Sequence, residues 1–382
     1  MTKLFLLFQI FFLSILPLNS KKNEDIDLNI HGNYYVLMEP VSKSIIACKN
    51  ENERLYPASM TKMMGLLLCM EELEKKNISW DDMVTCSSFA SSMGGTQIYL
   101  EEGEKISLKD LVKSIAINSA NDAIVCLGEY IYSSIDVFVK KMNEKAKKLN
   151  MINTHFMNAT GFDDDNHYSS CLDMAILGSE LLKYEEEIIP FTSMKEGYVR
   201  EDSSSPFWLV NTNKLLGNYE GMDGLKTGYT NKAKYNITAT AKRKNVRLVS
   251  CVMKEDSIEN RSKDTIRLLN YGFANIDQKV IYQKGEVIAE VEINDNFVSK
   301  TKVTCNKDLV VYINKDENIN DIKVQLIIDE ISLPLDKNKS IGNIIITTAS
   351  SRKYTYPVFP CVNVDKPSFF DYVIKNLKLI FF

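Results

Sequence analysis

Three short strings in this sequence carry side chains that together can hydrolyse an amide without a metal: Ser59-Met60-Thr61-Lys62, Ser119-Ala120-Asn121 and Lys226-Thr227-Gly228. Such a reaction needs a nucleophile, a base to take its proton, donors for the developing oxyanion and a cation for an anionic group of the substrate. Ser59 and Lys62 are one turn apart, so near the start of a helix their side chains point to the same side and can hydrogen-bond. A lysine titrating near about 10.4 is a poor base at neutral pH, but burial and a second ammonium both favour its neutral form. Lys226 is the candidate for that second cation. The Ser59 N–H, close to a helix N-terminus, has no partner inside the helix and is placed to donate to an oxyanion. A strand edge at residues 226–229 is expected to supply the second donor, the Tyr229 N–H, with Gly228 leaving room for a substrate backbone.

Spacing alone carries little weight, because Ser-x-x-Lys recurs at residues 299–302 and 350–353. Both recurrences fall in β-rich sequence, where positions i and i+3 face opposite sides, so neither forms the same dyad. Ser119-Ala120-Asn121 and Lys226-Thr227-Gly228 are likewise common as isolated tripeptides. Their order and contexts (helix start, interhelical break, strand), together with an export signal, give them meaning.

The elements that must position these residues can be read from periodicity. Residues 60–73 are apolar on every side and require a helix buried all round. Residues 107–133 read as two helices, opened by Ser107 and broken at 118–121, which places Ser119 and Asn121 in the break. Further helices are expected over 136–149, 171–183 and 258–272, with a polar connection around Ser203-Ser204-Ser205-Pro206. Strands are expected as a pair within 34–46 and as runs at 225–229, 236–241 and 246–252, the last two joined by a hairpin turn at 242–245. Helices between early and late strands, with a hairpin joining the late ones, give an α+β domain with an antiparallel sheet, about 250 residues in size. Beyond residue 277, short β runs (280–282, 287–293, 309–313, 322–327, 344–348) separated by turn residues indicate a separate all-β domain.

A chain of 382 residues with 45% apolar content buries a full core and divides into two domains. With 46 basic and 50 acidic residues it has no basic stripe, and a nucleic-acid role is set aside. The 8 cysteines lack a CxxC pair, Cys69, Cys126 and Cys251 lie in apolar stretches, and the 3 histidines are scattered. Neither a metal nor a cofactor is expected. Residues 1–20 combine Lys3, an apolar run and Pro17 before Lys21-Lys22, the pattern of a cleaved signal peptide; an uncleaved anchor is the alternative, and either leaves the bulk of the chain outside. The last fifteen residues mix aromatics with Asp371, Lys375 and Lys378. They suit an amphipathic helix in a membrane interface or a terminal helix packed on the protein.

Taken together, the motifs resemble those of the active-site serine penicillin-recognising enzymes. The wider strings Tyr-Pro-Ala-Ser-Met-Thr-Lys, Ile-Asn-Ser-Ala-Asn-Asp-Ala, Asp-Gly-Leu-Lys-Thr-Gly-Tyr-Thr and His167-Tyr168-Ser169 are most similar to the low-molecular-mass D-alanyl-D-alanine carboxypeptidases, peptidase family S11. The resemblance covers residues 30–275. It implies a β-lactamase/transpeptidase-like domain (28–275) with helices on both faces of an antiparallel sheet, a small β domain (278–360) and a C-terminal amphipathic anchoring segment (361–382). It further implies that Ser59 is the acylated nucleophile and Lys62 its base, that Ser119 relays a proton to the leaving amine, and that Asn121 lines the cleft. Lys226 and Thr227 would hold the substrate carboxylate. Arg261 is either a second partner for that carboxylate or a helix-surface cation, and His167 a hydrogen-bonding loop residue. The implied reaction is acylation of Ser59 by a peptidoglycan stem peptide ending in D-Ala-D-Ala, release of the terminal D-alanine and hydrolysis of the ester, at the outer face of the cytoplasmic membrane. β-Lactam antibiotics would acylate the same serine. Ala120 stands where class A β-lactamases carry Asp, and a Glu-x-x-Leu-Asn string is missing, which argues against rapid β-lactam hydrolysis. Transpeptidation, or an inert wall-binding role, are the competing readings.

Overall fold

The computed structural model describes residues 28–293, 300–370 and 373. The signal peptide expected at 1–20, residues 371, 372 and 374–382 of the C-terminal segment, and Ser299 lie outside them. Strands β1 (Tyr34–Met38) and β2 (Ile45–Lys49) form the expected hairpin. A 3₁₀ turn, Ala58–Thr61, runs directly into helix α1 (Lys62–Glu74). There follow β3 (Met83–Thr85), α2 (Ser88–Ser91), β4 (Lys105–Ser107), α3 (Leu108–Ile117), α4 (Asn121–Tyr132), α5 (Ile135–Lys148), α6 (Cys171–Leu181) and α7 (Glu185–Thr192). The hairpin β5 (Glu196–Val199) and β6 (Phe207–Val210) precedes β7 (Met222–Thr230), β8 (Lys234–Arg243), β9 (Val246–Glu255) and α8 (Ile258–Asn275).

Serines start five of these helices by satisfying amides that the helix leaves free, Ser87 accepting from the Ala90 N–H at α2. Ser107 accepts from the Asp110 N–H at α3, Ser134 from Asp136 at α5, Ser170 from Asp173 at α6 and Ser257 from Asn260 at α8. The long strands make one antiparallel sheet in the order β2-β1-β9-β8-β7, with β7 at the edge. Because side chains alternate along a strand, the sheet has two apolar faces. Val36, Met38, Val249, Cys251 and Met253 pack against α1, α3, α4 and α6, while Leu37, Leu248 and Val252 pack with Leu268 and Leu269 of α8. Helices therefore cover both faces. Residues 62–70 of α1 are all buried, as its uniform apolarity requires.

Helix α7 and the β5–β6 hairpin were not foreseen. Pro190 lies inside α7, and the Ser203–Pro206 stretch, expected as a plain connection, is the tip of the hairpin. The later region contains β10 (Ile276–Tyr282), β11 (Val287–Glu292), β12 (Lys300–Thr304), β13 (Leu309–Asn314), β14 (Lys323–Ile328), β15 (Gly342–Thr347) and β16 (Lys353–Pro360). β10 pairs with β13, and the others form a sheet in the order β11-β12-β16-β15-β14. Its core is continuous with the α8 face of the first sheet: Val303, Tyr312, Ile344 and Tyr354 share one apolar cluster with Leu37 and Leu248. Among the described residues, no helix is long and apolar enough to cross a membrane.

Candidate active site

The site is assembled where α1 and α4 begin beside the edge strand β7. Ser59 sits in the 3₁₀ turn and Lys62 opens α1; in a 3₁₀ turn residues three apart eclipse one another. The Lys62 Nζ lies 2.9 Å from the Ser59 Oγ and donates to the Thr160 carbonyl at 2.7 Å. Lys62 is fully buried, and its pKa falls well below the ordinary lysine value, first through burial and then through the ammonium of Lys226. Both influences expected from the sequence act on it. Asp122 acts in the opposite direction.

Lys226 projects from β7, is itself buried, and is drawn down to about 7 by burial and then by Arg261. Arg261, in the first turns of α8, is 4% exposed, so it is not the helix-surface cation that was its alternative reading. Burial lowers it to about 10, with Tyr235 opposing the shift, and its Nη1 donates to the Asn236 carbonyl at 3.4 Å. Three basic side chains are thus buried close to one another.

Ser119 occupies the break between α3 and α4 in a left-handed conformation (φ 68°), and its buried Oγ has no partner among the described residues. Asn121 is held on both sides, its N–H donating to Thr96 O at 2.7 Å and its Nδ2 to Gly94 O at 2.8 Å. Thr227 donates to Thr212 Oγ1 at 2.6 Å. Tyr229 is half-exposed and stacks on Tyr235, ring centroids 4.5 Å apart. Gly228 makes room as expected, but its space is taken up by the nucleophile's own turn. A Cβ there would lie 2.6 Å from the Pro57 carbonyl and 3.2 Å from the Ser59 nitrogen. Of the competing Ser-x-x-Lys strings, Lys302 lies in β12 and Lys353 opens β16, away from any helix start.

His167 is a buried loop residue. Its Nδ1 accepts from the Met157 N–H at 3.0 Å and its Nε2 bonds the Thr61 hydroxyl at 2.8 Å, tying the loop to the Ser59 turn. Burial lowers it to about 4, so it stays neutral. Thr160, Gly161, Thr212 and Asp122 also belong to the site, and sequence reasoning missed all four. Asp122 alone had a signal, its place after Asn121 in a family-like string.

Comparisons with known proteins point to one family. The family profile described as D-alanyl-D-alanine carboxypeptidase, Peptidase S11, matches residues 19–257. The D-alanyl-D-alanine carboxypeptidase DacF of Bacillus subtilis is 40% identical over 343 residues, covering 90% of this chain and 88% of its own. Among solved structures, penicillin binding protein 5 of Haemophilus influenzae superposes with a TM-score of 0.71 at 29% identity, covering 88% of this chain and 98% of that one. Penicillin-binding protein D2 of Listeria monocytogenes, solved in an ampicillin-bound form, does so with a TM-score of 0.58 at 30% identity, over 65% of this chain and 99% of its own.

Proposed function

The chain belongs to the D-alanyl-D-alanine carboxypeptidase family of serine peptidases, and we propose that Ser59 is the nucleophile through which it removes the terminal D-alanine from cell-wall stem peptides. The observation that carries this reading is the buried Lys62 amine 2.9 Å from the Ser59 hydroxyl. Burial and Lys226 favour the neutral amine, which keeps an N–H on Thr160 and turns its lone pair to the Ser59 O–H.

The remaining roles follow from position. Ser59 Oγ attacks the carbonyl of the penultimate residue. The Ser59 N–H, free of any acceptor within its turn, and the Tyr229 N–H of the edge strand would hold the oxyanion. Lys226 and Thr227 receive the substrate carboxylate, with Arg261 behind them, so the anion enters a cleft that already concentrates positive charge. Ser119, whose Oγ has no partner among the described residues, passes the proton to the departing D-alanine amine. Water then hydrolyses the ester. A β-lactam would acylate the same serine, as the ampicillin-bound Listeria relative suggests. We further read the protein as exported by a cleaved leader at residues 1–20, with catalytic residues within 28–275, a β domain at 278–360 and a membrane-surface segment at 361–382.

Release of free D-alanine from a diacyl-Lys-D-Ala-D-Ala peptide, wild type against Ser59→Ala, tests the core of this reading. The variant should release none and should lose covalent labelling by a fluorescent penicillin. Labelling that persists in Ser59→Ala would sink the assignment. Labelling without release would move the activity towards transpeptidation.

A further inference from the structure

We propose that Asp122 is a positioning residue of this site, a buried carboxylate that fixes the 94–100 segment against Asn121 and sets the charge facing the Lys62 amine. The inference rests on the Ser59–Lys62 reading given above. Asp122 is the second residue of α4 and is fully buried. Backbone amides occupy both its oxygens: Ile98 N–H at 3.2 and 3.1 Å, Leu100 N–H at 3.0 Å and Ala123 N–H at 2.8 Å. Such donors satisfy a carboxylate without neutralising it.

Two consequences follow from that placement. The amides of Ile98 and Leu100 anchor a segment whose other end supplies both acceptors of Asn121, the carbonyls of Gly94 and Thr96. The segment passes so close that a Cβ on Gly95 (φ 77°) would lie 2.8 Å from the Asn121 Nδ2. Asp122 therefore orients its neighbour Asn121 through the loop rather than directly.

The second consequence is electrostatic. Helices α1 and α4 touch where Gly65 meets Ile124; a Cβ on Gly65 would come within 2.6 Å of Ile124 Cδ1. Lys62 lies one turn before that crossing and Asp122 two residues before it, so both helices open into the cleft at the same end. Lys62 is faced by Ser59 in its own turn, by the Thr160 carbonyl from the loop, by Lys226 from β7 with Arg261 of α8 behind it, and by Asp122 from α4. Both side chains are fully buried, so the charge of Asp122 acts on Lys62 with little screening. Burial and Lys226 make Lys62 easy to deprotonate; Asp122 opposes them. Lys226 answers instead to burial and to Arg261. Removing the carboxylate therefore leaves Lys62 easier to deprotonate and a weaker base towards the Ser59 proton.

The test is the pH dependence of the second-order rate of acylation by a fluorescent penicillin, for the full chain as wild type, Asp122→Asn and Asp122→Glu. The acidic limb reports loss of the Lys62 proton and the basic limb loss of the Lys226 proton. Removing the negative charge makes Lys62 easier to deprotonate, so in Asp122→Asn the acidic limb moves to lower pH by about one unit. The basic limb stays in place, and the maximal rate falls roughly tenfold as Asn121 loosens. Asp122→Glu keeps the charge and disturbs the amides, so its rate falls with the acidic limb unmoved. Slowed variants with the acidic limb unmoved in Asp122→Asn, or with both limbs moved equally, would leave a structural clamp only and overturn the proposal. Should Asp122→Asn fail to fold, an acidic limb displaced in Asp122→Glu overturns it. A wild-type protein that is never acylated would instead remove the Ser59 reading, and this inference with it.

Discussion

Lys62, Lys226 and Arg261 are each at most 4% exposed. Burying cations is costly unless an opposite charge meets them, so the Lys226 and Arg261 pair is best explained by a ligand that arrives with one. A peptide carboxylate placed on Lys226 and Thr227 satisfies that demand. The coupling between the two lysines adds a sharper expectation. Lys226 lowers the pKa of Lys62 by repulsion, so Lys226→Ala should let it rise again and shift the acidic limb of kcat/KM for a D-Ala-D-Ala peptide to higher pH. The same change removes the basic limb, which in wild type should appear as pH climbs through about 7. Loss of the charge-assisted carboxylate contact should lower kcat/KM roughly a hundredfold, about 3 kcal/mol. An acidic limb that stays put in Lys226→Ala would show that the two ammonium groups do not communicate.

The turns around the nucleophile are packed backbone to backbone. Gly161 follows Thr160, the acceptor of Lys62, at φ 87°, and a Cβ there would lie 1.9 Å from the Ala58 carbonyl. Gly103 has a similar φ of 80° but nothing within 4 Å of a Cβ. Gly103→Ala should therefore cost only the left-handed backbone term, about 1–2 kcal/mol, with acylation unchanged. Gly161→Ala must in addition push Ser59 away from Lys62 and should abolish most acylation; near-normal acylation in that variant would refute the packing argument. Thermal unfolding and penicillin labelling of the two variants separate these effects. This also marks where sequence stopped being informative. The α3–α4 break with Ser119 and Asn121 was legible because a capping serine and two apolar periodicities flank it, and β7, β8 and β9 because β-formers alternate there. α7 was hidden by Pro190, and β16 by Pro357 and Pro360, although β16 lies between β12 and β15 in its sheet. The Thr160–Lys62 and Thr227–Thr212 contacts join residues whose spacing carries no periodicity, so only the folded chain brings them together.

At the scale of the whole molecule, the β region is not a loose appendage. It shares an apolar cluster with the α8 face of the first sheet, and the buried Tyr354 hydroxyl donates to Glu39 Oε1 at 3.1 Å across the junction. Its last strand, β16, ends at Pro360. Beyond it, Cys361 N–H donates to the Lys302 carbonyl at 2.9 Å, and Val364 exchanges two bonds with Leu335. Phe369 and Phe370 are 77% and 74% exposed, the highest values for large hydrophobic side chains among the described residues. Two adjacent aromatics turned to solvent, leading into a segment with further aromatics and lysines, suit an apolar interface with headgroups above it better than a packed terminal helix. Removing residues 367–382 leaves β16 and the Val364 pairing intact, so it should keep penicillin acylation within about twofold and Tm within a few degrees. The full chain, its leader confirmed by mass to be cleaved, should sediment with membranes, and the truncated chain should not. Sedimentation of both would place the attachment elsewhere on the molecule, and sedimentation of neither would mean that the two phenylalanines await a protein partner rather than a lipid surface.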